Sequence, residues 1–155
     1  MLRYLGLLIL LIPCTVTDIR RREIPVGFVL LFALSAVVIN LNFSSEIKET
    51  DMFFGLLAGL ALAAASLISR GAVGMGDAVM LLSAGVWCGG GAAIAILLGG
   101  LTLSAITGAA AVLLRKGSAK SALPFAPFLL ASATAWLVIS LCISGSAAPI
   151  WSIPF

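Results

Sequence analysis

Histidine is absent from this chain, and cysteine is rare. The three cysteines, Cys14, Cys88 and Cys142, show no CxxC spacing, and each lies in or beside an apolar run. Zinc sites and disulfide frameworks are built from regularly spaced cysteine and histidine residues, so the sequence argues against both. We expect the cysteines to be polarizable residues packed in an apolar interior.

Charged residues are also scarce. They make up 10% of the 155 residues, and apolar residues make up 62%, whereas a soluble domain has about 25% and roughly 45–50%. A soluble protein of this length could not cover such a core with so few charges. We therefore predict an integral membrane protein with a single domain over residues 1–155. The net charge of +3 matters through its placement, and it gives no reason to expect a nucleic-acid partner.

The apolar residues fall into six segments. Because about 20 residues of helix cross the hydrocarbon core, we predict an all-α bundle of six transmembrane helices with short loops. The fourth segment is short, so it is tilted and frayed, or lies in a thin membrane, or does not cross fully. Residues 1–18 could also pass for a signal peptide or a lipid-attachment segment, but Pro13 is a poor cleavage-site residue and more apolar segments follow. The predicted spans are about 2–17, 26–42, 52–69, 77–89, 91–114 and 123–143.

Basic residues indicate the orientation of this bundle. With the first loop on the cytoplasmic side, seven basic residues face that side and two face the other, which is the positive-inside bias. Both termini then lie outside, Trp87 and Trp151 lie near the outer interface, and the acids of the loop 40–51 are solvated. The cytoplasmic set is Arg20, Arg21, Arg22, Arg70, Arg115, Lys116 and Lys120; the outer set is Arg3 and Lys48; the loop acids are Glu46, Glu49 and Asp51.

Two carboxylates stand apart from the other acids. Asp18 follows the first predicted span and Asp77 opens the fourth, so both lie at the cytoplasmic boundary. Ionisable groups at membrane depth are costly and usually mark function. Two neighbouring carboxylates can share a proton and act as general acid and general base, as in an aspartic protease. From helix dipoles alone, we expect Asp77, near a helix N-terminus, to hold the charge and Asp18 the shared proton.

The segment GAVGMGDAVM, residues 71–80, allows two interpretations. Gly74 and Gly76 permit backbone conformations closed to other residues, and they permit close approach of another backbone, so they would shape a substrate site. Alternatively, residues 71–76 form an ordinary turn and Asp77 is a helix N-cap. Glu23, within RRRE, is most simply an ion-pair partner of its arginines.

Three segments together resemble one family. VGMGDAVML resembles the GxGD motif of membrane-embedded aspartic proteases, and TDIRRREIP resembles the segment after the first helix of type IV prepilin peptidases. LPFAPFLLA, residues 123–131, resembles the PFGPFL-type segment that opens their last helix, with Ala126 where the family usually has Gly. The resemblance covers about residues 14–131 and implies that Asp18 and Asp77 are the catalytic pair. Substrate-binding or site-shaping roles are expected for Gly74, Gly76, Glu23, Pro124 and Phe125.

The resemblance also implies a reaction and its setting. The family removes a short basic leader from prepilins, pseudopilins or archaellins at the cytoplasmic face of the prokaryotic plasma membrane. It implies a prepilin-like protein substrate, membrane lipid as a partner, and neither metal nor cofactor. Larger members also carry a segment with paired CxxC motifs and methylate the new pilin N-terminus. No such segment is present in this sequence, so we expect a peptidase-only form similar to those of Flp/Tad pili or archaella.

Three rival interpretations remain. A small proton- or cation-coupled transporter would explain two aspartates in the membrane, but it would not explain the three motifs. A non-catalytic assembly factor would use both aspartates as helix caps. A presenilin-like or signal-peptide-peptidase-like protease would keep its acids deeper inside longer helices than this sequence provides.

Overall fold

The chain is helical throughout the part that the structure describes. The structure, a computed structural model, describes residues 2–42, 49–68, 74–114 and 124–144. All secondary structure within these ranges is α-helical, which confirms the all-α part of the prediction and its six helices. The helix bounds differ from the predicted segments by a few residues at helix ends. The helices are α1 (Leu2–Arg21), α2 (Val26–Asn42), α3 (Glu49–Ile68), α4 (Met75–Cys88), α5 (Gly90–Leu113) and α6 (Ala126–Ser144).

Helix α4 lies at the centre of the bundle. It packs against α1, α2, α3 and α5, while α6 packs against α1 and α5. Most of its side chains from Ala78 to Cys88 are buried. Its 14 residues span roughly 21 Å at a rise of about 1.5 Å per residue, less than the hydrocarbon thickness of about 30 Å. The fourth helix is therefore short, as the sequence predicted, and it is surrounded by neighbouring helices.

Glycines bring α3 and α4 into close contact. A Cβ on Gly85 would lie 2.5 Å from the carbonyl carbon of Gly55, and a Cβ on Gly59 would lie 2.5 Å from the Cα of Leu82. No side chain fits between the two helices at these points. The richness in small residues noted in the sequence thus serves close helix packing, as it does in membrane bundles generally.

Polar contacts at the two ends of the bundle define its up-and-down order. At one end, the C-terminus of α1 meets the N-terminus of α6 through Asp18 and Ala126. At the opposite end, Asn40 of α2 donates a hydrogen bond of 2.8 Å to the carbonyl oxygen of Val86 near the C-terminus of α4. At this same end, the first turn of α3 meets the first residue of α5 through Asp51 and Gly90. Successive helices therefore run in alternating directions, which is the order that the six-span prediction requires.

Asp51 corrects one expectation from the sequence. It was predicted to be solvated in an outer loop, but it is half-buried in the first turn of α3. Its Oδ1 accepts hydrogen bonds from the main-chain N–H groups of Gly90 at 3.1 Å and Gly91 at 3.3 Å. The chain breaks helix at Gly89, with φ 86°, so the first N–H groups of α5 lack partners within their own helix. The Asp51 carboxylate supplies that partner from another helix.

Trp87 and Cys142 correct two further expectations. Trp87 was predicted at the outer interface, yet it is only 6% exposed. Its Nε1 donates to the carbonyl oxygen of Phe32 at 3.2 Å, and its ring lies against Gly6, where any Cβ would overlap it. Among the cysteines, Cys14 and Cys88 are buried as predicted, whereas Cys142 is exposed; all three are free thiols.

Two of the described helices are long and apolar enough to cross a membrane. They are Thr50–Ile68 and Gly90–Leu113, and only 17% and 11% of these stretches is buried inside the protein. A core helix of a soluble protein would be mostly buried, so these exposed apolar surfaces favour lipid surroundings. Shorter apolar helices are Val26–Asn40, Met75–Cys88 and Ala126–Cys142. Several residues on which the orientation was argued lie outside the described residues: Glu46, Lys48, Arg70, Arg115, Lys116, Lys120 and Trp151.

Candidate active site

Asp18 is a buried carboxylate between α1 and α6. Helix α1 continues to Arg21, beyond the span end predicted at residue 17, so Asp18 lies inside the last turn of the helix. Its side chain is 7% exposed. Its Oδ2 accepts a hydrogen bond of 2.9 Å from the main-chain N–H of Ala126, the first residue of α6. The buried carboxylate of Asp18 therefore has a main-chain hydrogen-bond donor.

Arg22 ends α1 immediately after this turn. Its N–H donates to the main-chain carbonyl oxygen of Asp18 at 2.9 Å. Its φ of 53° is in the left-handed region, which is uncommon outside glycine but usual for the residue that terminates a helix. The chain therefore turns away one turn beyond Asp18, and the arginines 20–22 are exposed at this end of the bundle.

Asp77 is the third residue of α4 and is half-buried. Ile24, which follows α1 closely, packs against Gly76, the neighbour of Asp77, so the structure brings the two aspartates, from distant parts of the sequence, to the same end of the bundle. The N-cap of α4 is Gly74, whose carbonyl oxygen accepts from the N–H groups of Asp77 at 3.1 Å and Ala78 at 3.3 Å. The interpretation of Asp77 as the N-cap residue is therefore wrong.

Gly74 and Gly76 are required for space and not for unusual dihedral angles. Gly74 has φ −64° and ψ 125°, values open to any residue, so the expectation of a special backbone conformation is wrong there. A Cβ on Gly74 would lie 2.7 Å from Oδ2 of Asp77. A Cβ on Gly76 would lie 2.6 Å from Cδ1 and 2.7 Å from Cβ of Ile24. Gly74 leaves room for the Asp77 carboxylate, and Gly76 lets the chain after α1 approach α4.

The segment between α1 and α2 reaches the site through Ile24, a residue that the sequence argument did not single out. Glu23, which it did single out, is exposed. Ile24 is half-buried against Gly76, and the carbonyl oxygen of Pro25 accepts from Val29 at 3.1 Å at the start of α2. The Ile-Pro pair in TDIRRREIP was the available sign of this contact.

Pro124 and Phe125 lead into α6 and are both half-buried. The carbonyl oxygen of Phe125 accepts from the N–H groups of Phe128 at 3.0 Å and Leu129 at 3.2 Å, so Phe125 occupies the N-cap position. The functional group that the sequence argument missed is the main-chain N–H of Ala126. The Pro-rich start of LPFAPFLLA was its indication, since the first N–H groups of a helix have no partner within the helix.

Thr17 and Cys14 precede Asp18 in the last turns of α1. The hydroxyl of Thr17 donates to the carbonyl oxygens of Pro13 at 3.1 Å and Cys14 at 3.0 Å, and the helix continues through Pro13. Cys14, a buried free thiol, lies one turn before Asp18. In the described ranges, no group of three or more His, Cys, Asp or Glu side chains is arranged to hold a metal ion.

Comparison with known protein families identifies the family of this chain. The model of the type IV leader peptidase family matches residues 5–141, which include both aspartates and all three motif segments. The chain belongs to the type IV leader peptidase family. This confirms the resemblance drawn from the motifs, and members of the family are membrane proteins. No curated protein and no solved structure matches the chain.

The geometry of this leader peptidase permits acid–base chemistry at the cluster of α1, α4 and α6. One carboxylate is buried and hydrogen-bonded, and the other is half-buried beside it. Carboxylates whose charges repel each other can hold one proton between them, so one acts as base while the other acts as acid.

Proposed function

We propose that this member of the type IV leader peptidase family is a membrane aspartic endopeptidase. It removes the short basic leader of prepilin-like precursors, namely pilins, pseudopilins or archaellins, at the cytoplasmic face of the plasma membrane. Asp18 and Asp77 form its catalytic dyad. The observation that carries the proposal is the position of these two aspartates at one end of the bundle, where the chain after α1 packs against Gly76, in a chain whose family match includes both.

The reaction needs a base for water and an acid for the scissile amide. One carboxylate takes a proton from water as the water oxygen attacks the carbonyl carbon, and the other protonates the carbonyl oxygen. The same two groups then return a proton to the leaving nitrogen when the C–N bond breaks. Gly74 supports this function by leaving room beside the Asp77 carboxylate.

A six-span topology with the site on the cytoplasmic side suits this substrate. A prepilin presents its cleavage site where its hydrophobic helix meets the cytoplasm, and the seven-to-two distribution of basic residues supports a dyad at that boundary. The exposed arginines 20–22 lie at the same end as Asp18, where they can bind anionic lipid headgroups. Both termini lie outside in this topology.

The alternative was a proton- or cation-coupled transporter that uses the same two aspartates. Membership of a leader peptidase family favours proteolysis over transport. Transport predicts that both aspartates are needed for ion movement and that a co-expressed prepilin stays uncut.

Co-expression with a prepilin-like precursor tests the proposal. Leader removal is followed as a shift on a gel for the wild type, Asp18→Asn and Asp77→Asn. Asp51→Asn is the matched control, because Asp51 is the third aspartate of the chain and lies at the opposite end of the bundle. We expect cleavage by the wild type and by Asp51→Asn, and none by the other two variants. Persistent cleavage in either of those would rule out the dyad.

A further inference from the structure

The two aspartates of the dyad have different surroundings. Asp18 is the more deeply buried, and its Oδ2 receives the main-chain N–H of Ala126 at 2.9 Å. Asp77 is half-buried, and its Oδ2 occupies the space where a side chain on Gly74 would lie. An N–H group can only donate, so its bond to Asp18 is strongest when that carboxyl is ionised. Charge-assisted bonds are about twice as strong as neutral ones.

Helix α6 offers this one donor for a specific reason. Phe128 and Leu129 donate their N–H groups to the carbonyl oxygen of Phe125, and Pro127 has no N–H. Ala126 is therefore the residue of the first turn whose N–H points to a group outside the helix. A buried N–H without an acceptor is costly, and the positive end of α6 favours a negative charge at the same place.

We propose that the main-chain N–H of Ala126 is a positioning group that keeps the negative charge of the dyad on Asp18, so that Asp18 is the general base and Asp77 the general acid. This assignment rests on the proposed dyad. It reverses the expectation from the dipoles of α1 and α4, which gave the charge to Asp77 and the proton to Asp18. That expectation considered only the unfavourable C-terminus of α1 at Asp18. The first turn of α6 was missing from that comparison.

The catalytic step then follows in one order. The water oxygen bonds to the scissile carbonyl carbon, a water proton passes to Asp18, and the proton of Asp77 passes to the carbonyl oxygen, which gives a neutral gem-diol. On collapse, the C–N bond breaks, the nitrogen takes the proton from Asp18, and a hydroxyl proton returns to Asp77. One water is consumed, and both carboxyls regain their starting states.

Other ionisable groups near Asp18 are few among the described residues. On α4 and α6, the helices packed against α1, they are Asp77, Cys88 and Cys142, and only Asp77 is at the N-terminal end of its helix. On α1 itself, Cys14 lies one turn before Asp18, and basic residues follow it. Arg20 and Arg21 follow Asp18 within the helix, and Arg22 and Glu23 come directly after it. Arg3 and Tyr4 lie at the far end of α1.

The inference predicts where the proton lies, so the protonation state of each carboxyl tests it directly. The chain has three aspartates, and aspartate labelled with carbon-13 at the side-chain carboxyl gives three resolvable NMR signals in detergent or nanodiscs. Asp18→Asn, Asp77→Asn and Asp51→Asn assign them. While the dyad holds one proton, we expect Asp18 to show a carboxylate signal and Asp77 a carboxylic-acid signal. The reverse pattern overturns the assignment.

Ala126→Pro removes the donor and puts the ring Cδ where the N–H hydrogen was, so the Asp18 carboxylate also has to move away from the first turn of α6. Proline is favoured at the first position of a helix. The extended conformation that it demands of the preceding residue is usual at an N-cap, where Phe125 lies. The matched control is Ala126→Gly, which keeps the N–H. In Ala126→Pro we expect the proton to shift toward Asp18, and in Ala126→Gly we expect it to stay on Asp77.

Kinetics and folding complete the experiment. We expect Ala126→Pro to lower kcat for leader cleavage by about 10- to 100-fold at an unchanged KM, because one charge-assisted hydrogen bond is lost. Unchanged carboxyl signals in folded Ala126→Pro would overturn the positioning role. If that variant does not fold, the wild-type and Ala126→Gly spectra still decide the assignment. A wild type that cleaves no precursor would refute the proposed function instead, and the spectra do not depend on that result.

Discussion

The Oδ2 of Asp18 accepts a hydrogen bond of 2.9 Å from the main-chain N–H of Ala126. This contact joins the last turn of α1 to the first residue of α6, two segments that lie far apart in the sequence. It gives Asp18 two tasks, because the same carboxylate serves the proposed chemistry and satisfies the N-terminus of a helix.

The structural task predicts different stabilities for two Asp18 variants. Asp18→Ala leaves the buried N–H of Ala126 without an acceptor, so we expect the free energy of unfolding to fall by about 1–3 kcal/mol. Asp18→Asn keeps a side-chain oxygen in place and should lose less. Thermal or denaturant unfolding of both variants in the same detergent measures the difference. Equal losses in the two variants would show that this hydrogen bond does not support α6.

Gly74 is predicted to matter for activity more than for folding. A Cβ there would lie 2.7 Å from Oδ2 of Asp77, so Gly74→Ala must displace the carboxylate. We expect kcat for leader cleavage to fall by at least about tenfold, since misplaced catalytic groups lose large factors in rate. Gly27→Ala is the control, because a Cβ there meets nothing within 4 Å. Full activity in Gly74→Ala would contradict the space requirement.

Gly76 and Ile24 are predicted to be coupled. Gly76→Ala brings its Cβ against Cδ1 and Cβ of Ile24, which should push the chain after α1 away from α4 and reduce both stability and activity. Ile24→Ala removes Cδ1 but keeps Cβ, so the double variant should recover part of the loss. A double-mutant cycle on unfolding free energy and on kcat measures the coupling. Strictly additive losses would mean that the two residues do not press on each other.

Asp51 is predicted to be structural. Asp51→Ala leaves the N–H groups of Gly90 and Gly91 without their acceptor, so the free energy of unfolding should fall by about 1–3 kcal/mol. The kcat of the folded fraction should stay near that of the wild type, because Asp51 lies at the end of the bundle opposite Asp18 and Asp77. Unfolding curves and active-fraction-corrected rates separate the two effects. A large loss of kcat in fully folded protein would contradict this role.

The sequence was sufficient for the features that depend on local pattern. Apolar segments of helical length predicted the six helices, and three motifs in order pointed to Asp18 and Asp77 and to the family. The first span was predicted to end at residue 17, whereas α1 continues through Pro13 to Arg21. The helix continues to Arg21 because Arg22 can terminate it with a positive φ.

The sequence was insufficient wherever a contact depends on packing between helices. The role of Ala126 lies in a main-chain N–H, which no residue type reveals. Gly74 looked like a conformational requirement because the position of the Asp77 carboxylate was unknown. Asp51 looked solvated because its partners, the N–H groups of α5, become available only through the break at Gly89. Trp87 was predicted at the outer interface because the sequence does not show that its ring packs against Gly6 of α1.

The central claim is that Asp18 and Asp77 act as one catalytic unit, and the initial rate of leader cleavage by purified enzyme tests it most directly. Wild type, Asp18→Asn, Asp77→Asn and the double variant are compared at saturating prepilin-like substrate in one detergent. We predict that each single variant loses about 10²- to 10⁴-fold in kcat and that the double variant loses no more than either single one. A single variant that keeps wild-type kcat, or losses that multiply in the double variant, would contradict the account.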